Sequence, residues 1–246
     1  MLIPFTINGL PVEAVYSERS IETIFRPLLR DLSTLQKEKS RRILVMLAAP
    51  PGAGKSTLSQ FLQMLSEEDP SLTPLTAIGM DGFHCFRDYL ASHTIVRDGE
   101  EIPLSRIKGA PETFDLSALY DRIKTLCTGA DTLWPLYDRT RHDPVDGAVL
   151  VSADIVLLEG NYLLLDEPCW RDLRSFADYS VFIEATEEQL YRRLYDRKAK
   201  SGALKDDEVE LHVRFSDFPN VRRVLDHSLP ADLRLLLRPD GEYVRA

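Results

Sequence analysis

The sequence predicts an α/β fold in which a mainly parallel sheet is flanked by helices. Three observations carry this expectation. Short apolar runs at Ile43 to Ala48, Leu75 to Met80, Ile155 to Leu158 and Tyr179 to Ile183 have strand length and are separated by helical patterns, the alternation that builds a parallel sheet. The first run passes directly into Ala48-Ala49-Pro50-Pro51-Gly52-Ala53-Gly54-Lys55-Ser56-Thr57, after which Leu58, Phe61, Leu62 and Leu65 share one helical face. The chain has 246 residues, 44% of them hydrophobic, which is enough to bury one sizeable core.

The loop between that strand and helix has the residues a triphosphate needs. Backbone N–H groups turned inward by Gly52 and Gly54 can cradle phosphate oxygens, Lys55 supplies a point charge to the β- and γ-phosphates, and the Ser56 hydroxyl can ligate Mg²⁺. ATP is therefore assigned to Ala49, Pro50, Pro51, Gly52, Ala53, Gly54, Lys55, Ser56 and Thr57. The loop departs from G-x-x-x-x-G-K-S/T at its first glycine, which is Ala49. Alanine fits there if its backbone angles are ordinary; Gly54 has no such substitute.

The remaining elements follow in chain order. Residues 1–40 read as an N-terminal hairpin-and-helix extension to a domain spanning 41–246. Two short alternating runs surround Asn8-Gly9, a tight-turn pair, and Ile21, Ile24, Phe25, Leu28, Leu32 and Leu35 recur at helical spacing, with Pro27 marking a kink or a first turn. Residues 91 to 113 are polar and without period. Leu116, Leu119, Ile123 and Leu126 mark a helix begun near Thr113 or Asp115, and Thr186-Glu187-Glu188-Gln189 has capping-box form ahead of another. Leu233 to Leu237 and Tyr243 to Val244 read as late strands pairing across Pro239-Asp240-Gly241.

Composition excludes several functions. A net charge of −9 argues against nucleic-acid binding, which depends on neutralising phosphates. Three widely spaced cysteines, Cys85, Cys127 and Cys169, offer neither a disulfide framework nor a zinc site. No leader-like segment and no run of ~18 apolar residues is present, so the expectation is a cytoplasmic protein with no membrane partner.

In parallel α/β sheets ligands bind beyond the carboxyl ends of the strands. Two further carboxylates stand at such ends. Asp81, before Gly82, could accept a proton from an attacking hydroxyl, and Glu159 could hold Mg²⁺ or its water. Arg193 and Arg197 share a helix face at i, i+4 spacing and could clamp transferring phosphates; a solvated face explains them nearly as well.

Taken together, Asp81-Gly82-Phe83-His84, Lys108-Gly109-Ala110-Pro111-Glu112-Thr113-Phe114-Asp115, Pro135-Leu136-Tyr137-Asp138-Arg139 and Glu159-Gly160-Asn161 resemble the phosphoribulokinase/uridine kinase and bacterial pantothenate kinase superfamily. The likeness is greatest to a bacterial group named as fructose-transport-system or nucleoside/nucleotide kinases. It implies a P-loop NTPase three-layer sandwich, Mg²⁺·ATP as donor and a small-molecule alcohol as acceptor. It also implies catalytic roles for Asp81, Lys55, Arg193 and Arg197, metal ligation by Ser56 and Glu159, and substrate contacts by His84, Tyr137, Arg139 and His142. Uridine kinases carry a ribose-binding aspartate where this chain has Gly109. Pantothenate kinases usually have histidine where this chain has Arg139, and that arginine suits a carboxylate or phosphate unless Asp138 neutralises it. Phe218 replaces the glycine of an Asp-Gly-Pro-Asn turn, so that turn must differ here if it needs a positive φ.

The expected function is transfer of the γ-phosphoryl group of ATP to a hydroxyl of a sugar, sugar derivative or pantothenate-like acid. The alternative is a regulatory ATP-binding protein or ATPase, and a uridine-type nucleoside kinase is the less favoured choice of substrate. Asp-x-x-Gly, Asn-Lys-x-Asp and Leu-Ser-Gly-Gly, the marks of GTPase switches and ABC-type ATPases, do not occur. The resemblance leaves homo-oligomerisation open.

Overall fold

The computed structural model describes residues 2–7, 10–97, 99–200 and 205–246. In chain order its strands are β1 (Leu2–Ile7), β2 (Leu10–Val15), β3 (Ile43–Ala48), β4 (Leu75–Gly79), β5 (Thr94–Arg97), β6 (Glu100–Pro103), β7 (Thr132–Asp138), β8 (Asp143–Val151), β9 (Ile155–Gly160), β10 (Tyr179–Glu184), β11 (Leu233–Leu237) and β12 (Tyr243–Arg245). Six of them form the main sheet in the order β12-β11-β10-β3-β9-β4. All its pairings are parallel except β11 with β12, which pair antiparallel as the sequence suggests.

The central strands β3 and β9 are apolar up to Glu159 near the carboxyl end of β9 because both faces of the sheet are covered. Ile43, Val45 and Leu47 of β3, with Ile155 and Leu157 of β9, face one core, while Leu44, Met46, Val156 and Leu158 face the other. The first core is completed by Leu28, Leu29 and Leu32 of helix Arg26–Lys39, by Leu58, Phe61, Leu62 and Leu65 of helix Lys55–Glu68, and by Leu190 and Leu194 of helix Glu187–Lys200. The second takes Leu119, Ile123 and Leu126 of helix Leu116–Cys127 together with Trp134 of β7. Burying each such side chain contributes about 1.5–3 kcal/mol.

The N-terminal segment belongs to the first core. Ile3 and Tyr16 are buried there, and the Tyr16 ring stacks on Phe61 at 4.3 Å between centroids. β1 and β2 pair antiparallel from Leu2 and Val15 to Ile7 and Leu10; Asn8 and Gly9, the expected turn pair, lie outside the described residues. Pro27 neither ends nor breaks the helix that follows. Ile21–Phe25 forms a π turn in which Arg26 N–H reaches the Ile21 carbonyl, and the wider turn accommodates a residue that has no N–H to donate.

Elsewhere the structure adds detail. The aperiodic stretch from 91 to 113 holds the short hairpin β5–β6 and two 3₁₀ turns; strands of four residues are too brief to show a period. Asp115 caps helix Leu116–Cys127 by accepting from Ala118 N–H at 2.9 Å. Met80 leaves β4 and opens a 3₁₀ turn, Met80–Phe83, which carries Asp81. Phe218 has φ −70° inside continuous helical turns, so no glycine is needed there. No helix among the described residues is long and apolar enough to cross a membrane.

Candidate active site

Sheet register brings the functional strand ends together. Glu159 of β9 pairs with Leu47 of β3 on one side and Gly79 of β4 on the other, so the phosphate loop, Glu159 and Asp81 leave the sheet at one level. Within the loop Gly52 and Gly54 both have φ 87°, and Ala49 is absent from the left-handed region, which is why alanine is accepted there. Helix Lys55–Glu68 begins at Gly54 with no side chain capping it, leaving its first-turn N–H groups for an anion.

Ser56 Oγ donates to Glu159 Oε1 at 2.8 Å, and Lys55 Nζ lies 4.0 Å from Glu159 Oε2. A hydroxyl beside a carboxylate is the hard-oxygen pair that Mg²⁺ takes from protein when phosphates and water complete its shell, so these residues fit the ion the fold implies. Burial, reinforced by the Asp81 charge, pushes the Glu159 carboxyl above the usual range despite Lys55 and Ser56. For Asp81 the balance is reversed. Burial works to raise its carboxyl, but the positive field of His84, Lys55, Arg139 and Arg197 outweighs it and holds Asp81 low. Burial in turn depresses His84, so near neutral pH that field comes from Lys55 and the two arginines.

Arg193 and Arg197 divide their work. Arg193 Nη1 donates to the carbonyls of Gly52 and Ala53, each at 3.3 Å, whereas Arg197 acts on Asp81 through its charge.

Beyond Asp81 stands an aromatic wall. His84 Nδ1 lies 2.8 Å from the Asp81 carbonyl, which can only accept, so that nitrogen carries the proton. The His84 ring stands 4.0 Å from Phe114 and 5.1 Å from Tyr137. Burial pushes the Tyr137 phenol up to about 12, so it is neutral. Lys108 Nζ lies 5.0 Å from the Tyr137 ring centroid and donates to the His142 carbonyl at 2.8 Å. His142 itself occupies the left-handed region at φ 57° with an exposed side chain, and its carbonyl is the group that holds Lys108.

Hairpin β7–β8 holds this wall in place. Trp134 Nε1 donates to the Gly79 carbonyl at 2.8 Å, and the Pro135 carbonyl approaches Gly82 so closely that a Cβ there would lie 2.2 Å from the oxygen. Asp-Gly at this strand end is therefore more than a turn: Gly82 admits the hairpin beside Asp81.

A cleft of about 170 Å³ is lined by Ser56, Asp81, Tyr137 and Glu159 together with Thr6 and Ile7 of β1. No sequence signal assigned Thr6 or Ile7 to the site, since a hairpin far upstream of Asp81 in the chain reveals its packing only in three dimensions. Asn161 was legible only as part of the Glu159-Gly160-Asn161 motif; its Oδ1 is buried without a hydrogen-bond partner among the described residues, as is Glu112 Oε2. The other Glu112 oxygen accepts from Arg223 at 2.9 Å and Arg97 at 3.3 Å, and Arg223 also binds Glu167.

A phosphate loop at the end of β3, with Glu159 near the end of the neighbouring β9 and Asp81 just past the end of β4 beyond it, defines the P-loop kinase class, and this chain belongs to the Phosphoribulokinase / Uridine kinase family, whose profile matches residues 44–212. It is 41% identical over 244 residues to the uncharacterized protein YggC of Escherichia coli (strain K12), covering 99% of this chain and 98% of that one. It is 29% identical over 209 residues to the pantothenate kinase of Bacillus subtilis (strain 168), covering 74% of this chain but 62% of that enzyme. A solved structure from Silicibacter sp. TM1040, described as a candidate fructose transport system kinase, superposes with TM-score 0.73 at 34% identity over 84% of this chain and 98% of its own. YFH7 from Saccharomyces cerevisiae shares the fold with TM-score 0.71 at 18% identity, over 88% of this chain and 99% of its own.

Proposed function

We propose that the protein transfers the γ-phosphoryl group of ATP to a hydroxyl of a small metabolite, with Asp81 as the general base. The observation that carries this reading is the convergence of Lys55, Ser56, Glu159 and Asp81 at adjacent strand ends, with Ser56 Oγ 2.8 Å from Glu159 Oε1. Phosphoryl transfer asks a protein mainly for positioning and charge neutralisation.

In this reading the loop N–H groups and Lys55 hold the donor phosphates, while Arg193 braces the loop through the Gly52 and Ala53 carbonyls. Ser56 and Glu159 would hold Mg²⁺, which when bound would supply charge neutralisation for the donor phosphates. Asp81, kept ionised by the cations around it, takes the acceptor's proton as its oxygen attacks phosphorus and ADP leaves. His84, Phe114 and Tyr137 form the wall against which the acceptor lies.

The test is ADP release with Mg²⁺·ATP across neutral sugars, sugar phosphates, pantothenate-like acids and nucleosides, using wild type and Asp81→Asn. Stimulation by one class, lost by at least about 10²-fold in the variant while ATP affinity persists, supports the mechanism. Equal turnover by both proteins removes Asp81 from it.

A further inference from the structure

Arg139 occupies the turn between β7 and β8, two residues beyond Tyr137. Its neighbour Asp138 is the obvious counter-ion, yet that carboxylate is committed elsewhere. Asp138 Oδ1 accepts from Thr140 N–H at 2.8 Å, Thr140 Oγ1 at 2.6 Å and Arg141 N–H at 3.2 Å, and Oδ2 lies 3.6 Å from Arg141 Nε. Arg139 makes no hydrogen bond or ion pair with any described residue, although its side chain is half-buried. A partly desolvated guanidinium whose N–H groups meet no anion within hydrogen-bond or ion-pair distance is costly to keep.

The surroundings do not supply the missing anion. Asp143 Oδ1 accepts from Arg87 N–H at 2.7 Å, and Glu159, which feels the Arg139 charge, is hydrogen-bonded by Ser56 and approached by Lys55. Asp81 feels Lys55 and Arg197 as well as Arg139, and Arg197 and Arg139 oppose each other's charge. Lys108 adds a further cation beside Tyr137. This positive cluster lies within a chain of net charge −9, so it is a local arrangement and does not follow from composition. Nor are the donor phosphates its natural object. They have Lys55 and the loop N–H groups, whereas Arg139 rides on the hairpin that carries Tyr137 of the aromatic wall.

We propose that the acceptor bears an anionic group, a carboxylate or a phosphate, and that Arg139 binds that group. This inference rests on the phosphotransferase reading above and adds the class of acceptor to it. A guanidinium offers either oxyanion two parallel donors, a geometry that lysine cannot reproduce.

The experiment uses the full chain saturated with Mg²⁺ and a non-hydrolysable ATP analogue, so that the phosphate loop is filled. Inorganic phosphate is then titrated calorimetrically into wild type, Arg139→Gln and Arg139→Lys. Losing the charge-assisted pair should weaken phosphate about tenfold or more in Arg139→Gln, with Arg139→Lys also impaired and affinity for the analogue retained. In parallel, ADP release is compared for fructose against fructose 6-phosphate and for panthenol against pantothenate, pairs in which the anionic group is the variable. Preference for the anionic member of either pair supports the inference, and which pair responds separates phosphate from carboxylate. Equal phosphate binding by wild type and Arg139→Gln, or turnover of the neutral members alone, overturns it while leaving the phosphotransferase reading intact. Failure of the wild type to bind the ATP analogue would overturn both.

Discussion

Replacing Gly82 with alanine tests how the site is built with a single methyl group. The added Cβ would stand 2.2 Å from the Pro135 carbonyl oxygen, 2.5 Å from its carbon and 3.0 Å from Leu136 N. All three are backbone atoms, so no side-chain rotation relieves the contact. Real Cβ contacts essentially never fall below 3.0 Å, so the 2.2 Å approach must open by at least that difference. Hairpin and strand end have to separate by nearly 1 Å. Overpacking of this kind costs about 1–3 kcal/mol. In a chain of this size that lowers Tm by roughly 2–12 °C. The larger effect should be on turnover. Gly82 adjoins Asp81 and the hairpin carries Tyr137 and Arg139, so the shift moves the base against the acceptor wall, and misplacement by about 1 Å costs on the order of 10²-fold in rate. Thermal unfolding and acceptor-stimulated ADP release, measured on the same preparation, check both expectations. A Gly82→Ala protein that melts and turns over like wild type would refute the claim that close approach of Pro135 positions Asp81.

Other perturbations address separate parts of the molecule. Lys55→Met should weaken ATP binding at the loop, measurable by titration with a fluorescent ATP analogue, while thermal stability stays near wild type. Arg223→Ala leaves Glu112 and Glu167 without their shared cation at side-chain exposures of 25% and 24%, and should cost about 1–3 kcal/mol by urea unfolding. His84 contributes a pH dependence of definite sign. Burial depresses its folded pKa below the unfolded value of about 6.5, so its contribution is fully present above that pH and is lost as pH falls from there through the folded value, because the unfolded chain takes up the proton first. Glu159, raised in the fold, titrates with the opposite sign, so the informative quantity is wild type minus His84→Gln from pH 8 to 5. A difference that is flat across that range would contradict a buried neutral His84.

The phosphate loop and the strands around it were legible because local chemistry dictates them. Gly54 adopts a positive φ, Lys55 and Ser56 follow it in the motif pattern a phosphate loop requires, and strands buried on both faces are apolar along most of their length. Asp81 and Glu159 could be picked out because each directly ends such a run. The hairpin β7–β8 was missed as an element and only its Pro135-Leu136-Tyr137-Asp138-Arg139 motif was singled out, since Leu133, Leu136 and Leu150 are exposed and blur the alternation that marks a strand. The hairpin β5–β6 was missed because four-residue strands carry too little pattern.

By itself, then, the sequence determined the α/β class, the phosphate loop and the identity of the two strand-end carboxylates, all of which depend on contacts within a few residues. The tertiary structure decided what depends on distant segments meeting. It placed Glu159 between Leu47 and Gly79, set Thr6 and Ile7 into the cleft beside Asp81, and seated Pro135 against Gly82. It also turned Asp138 into its own loop and left Arg139 without a hydrogen-bonded or ion-paired partner among the described residues. Which carboxylate an arginine reaches depends on the backbone path around it, and composition leaves that path open.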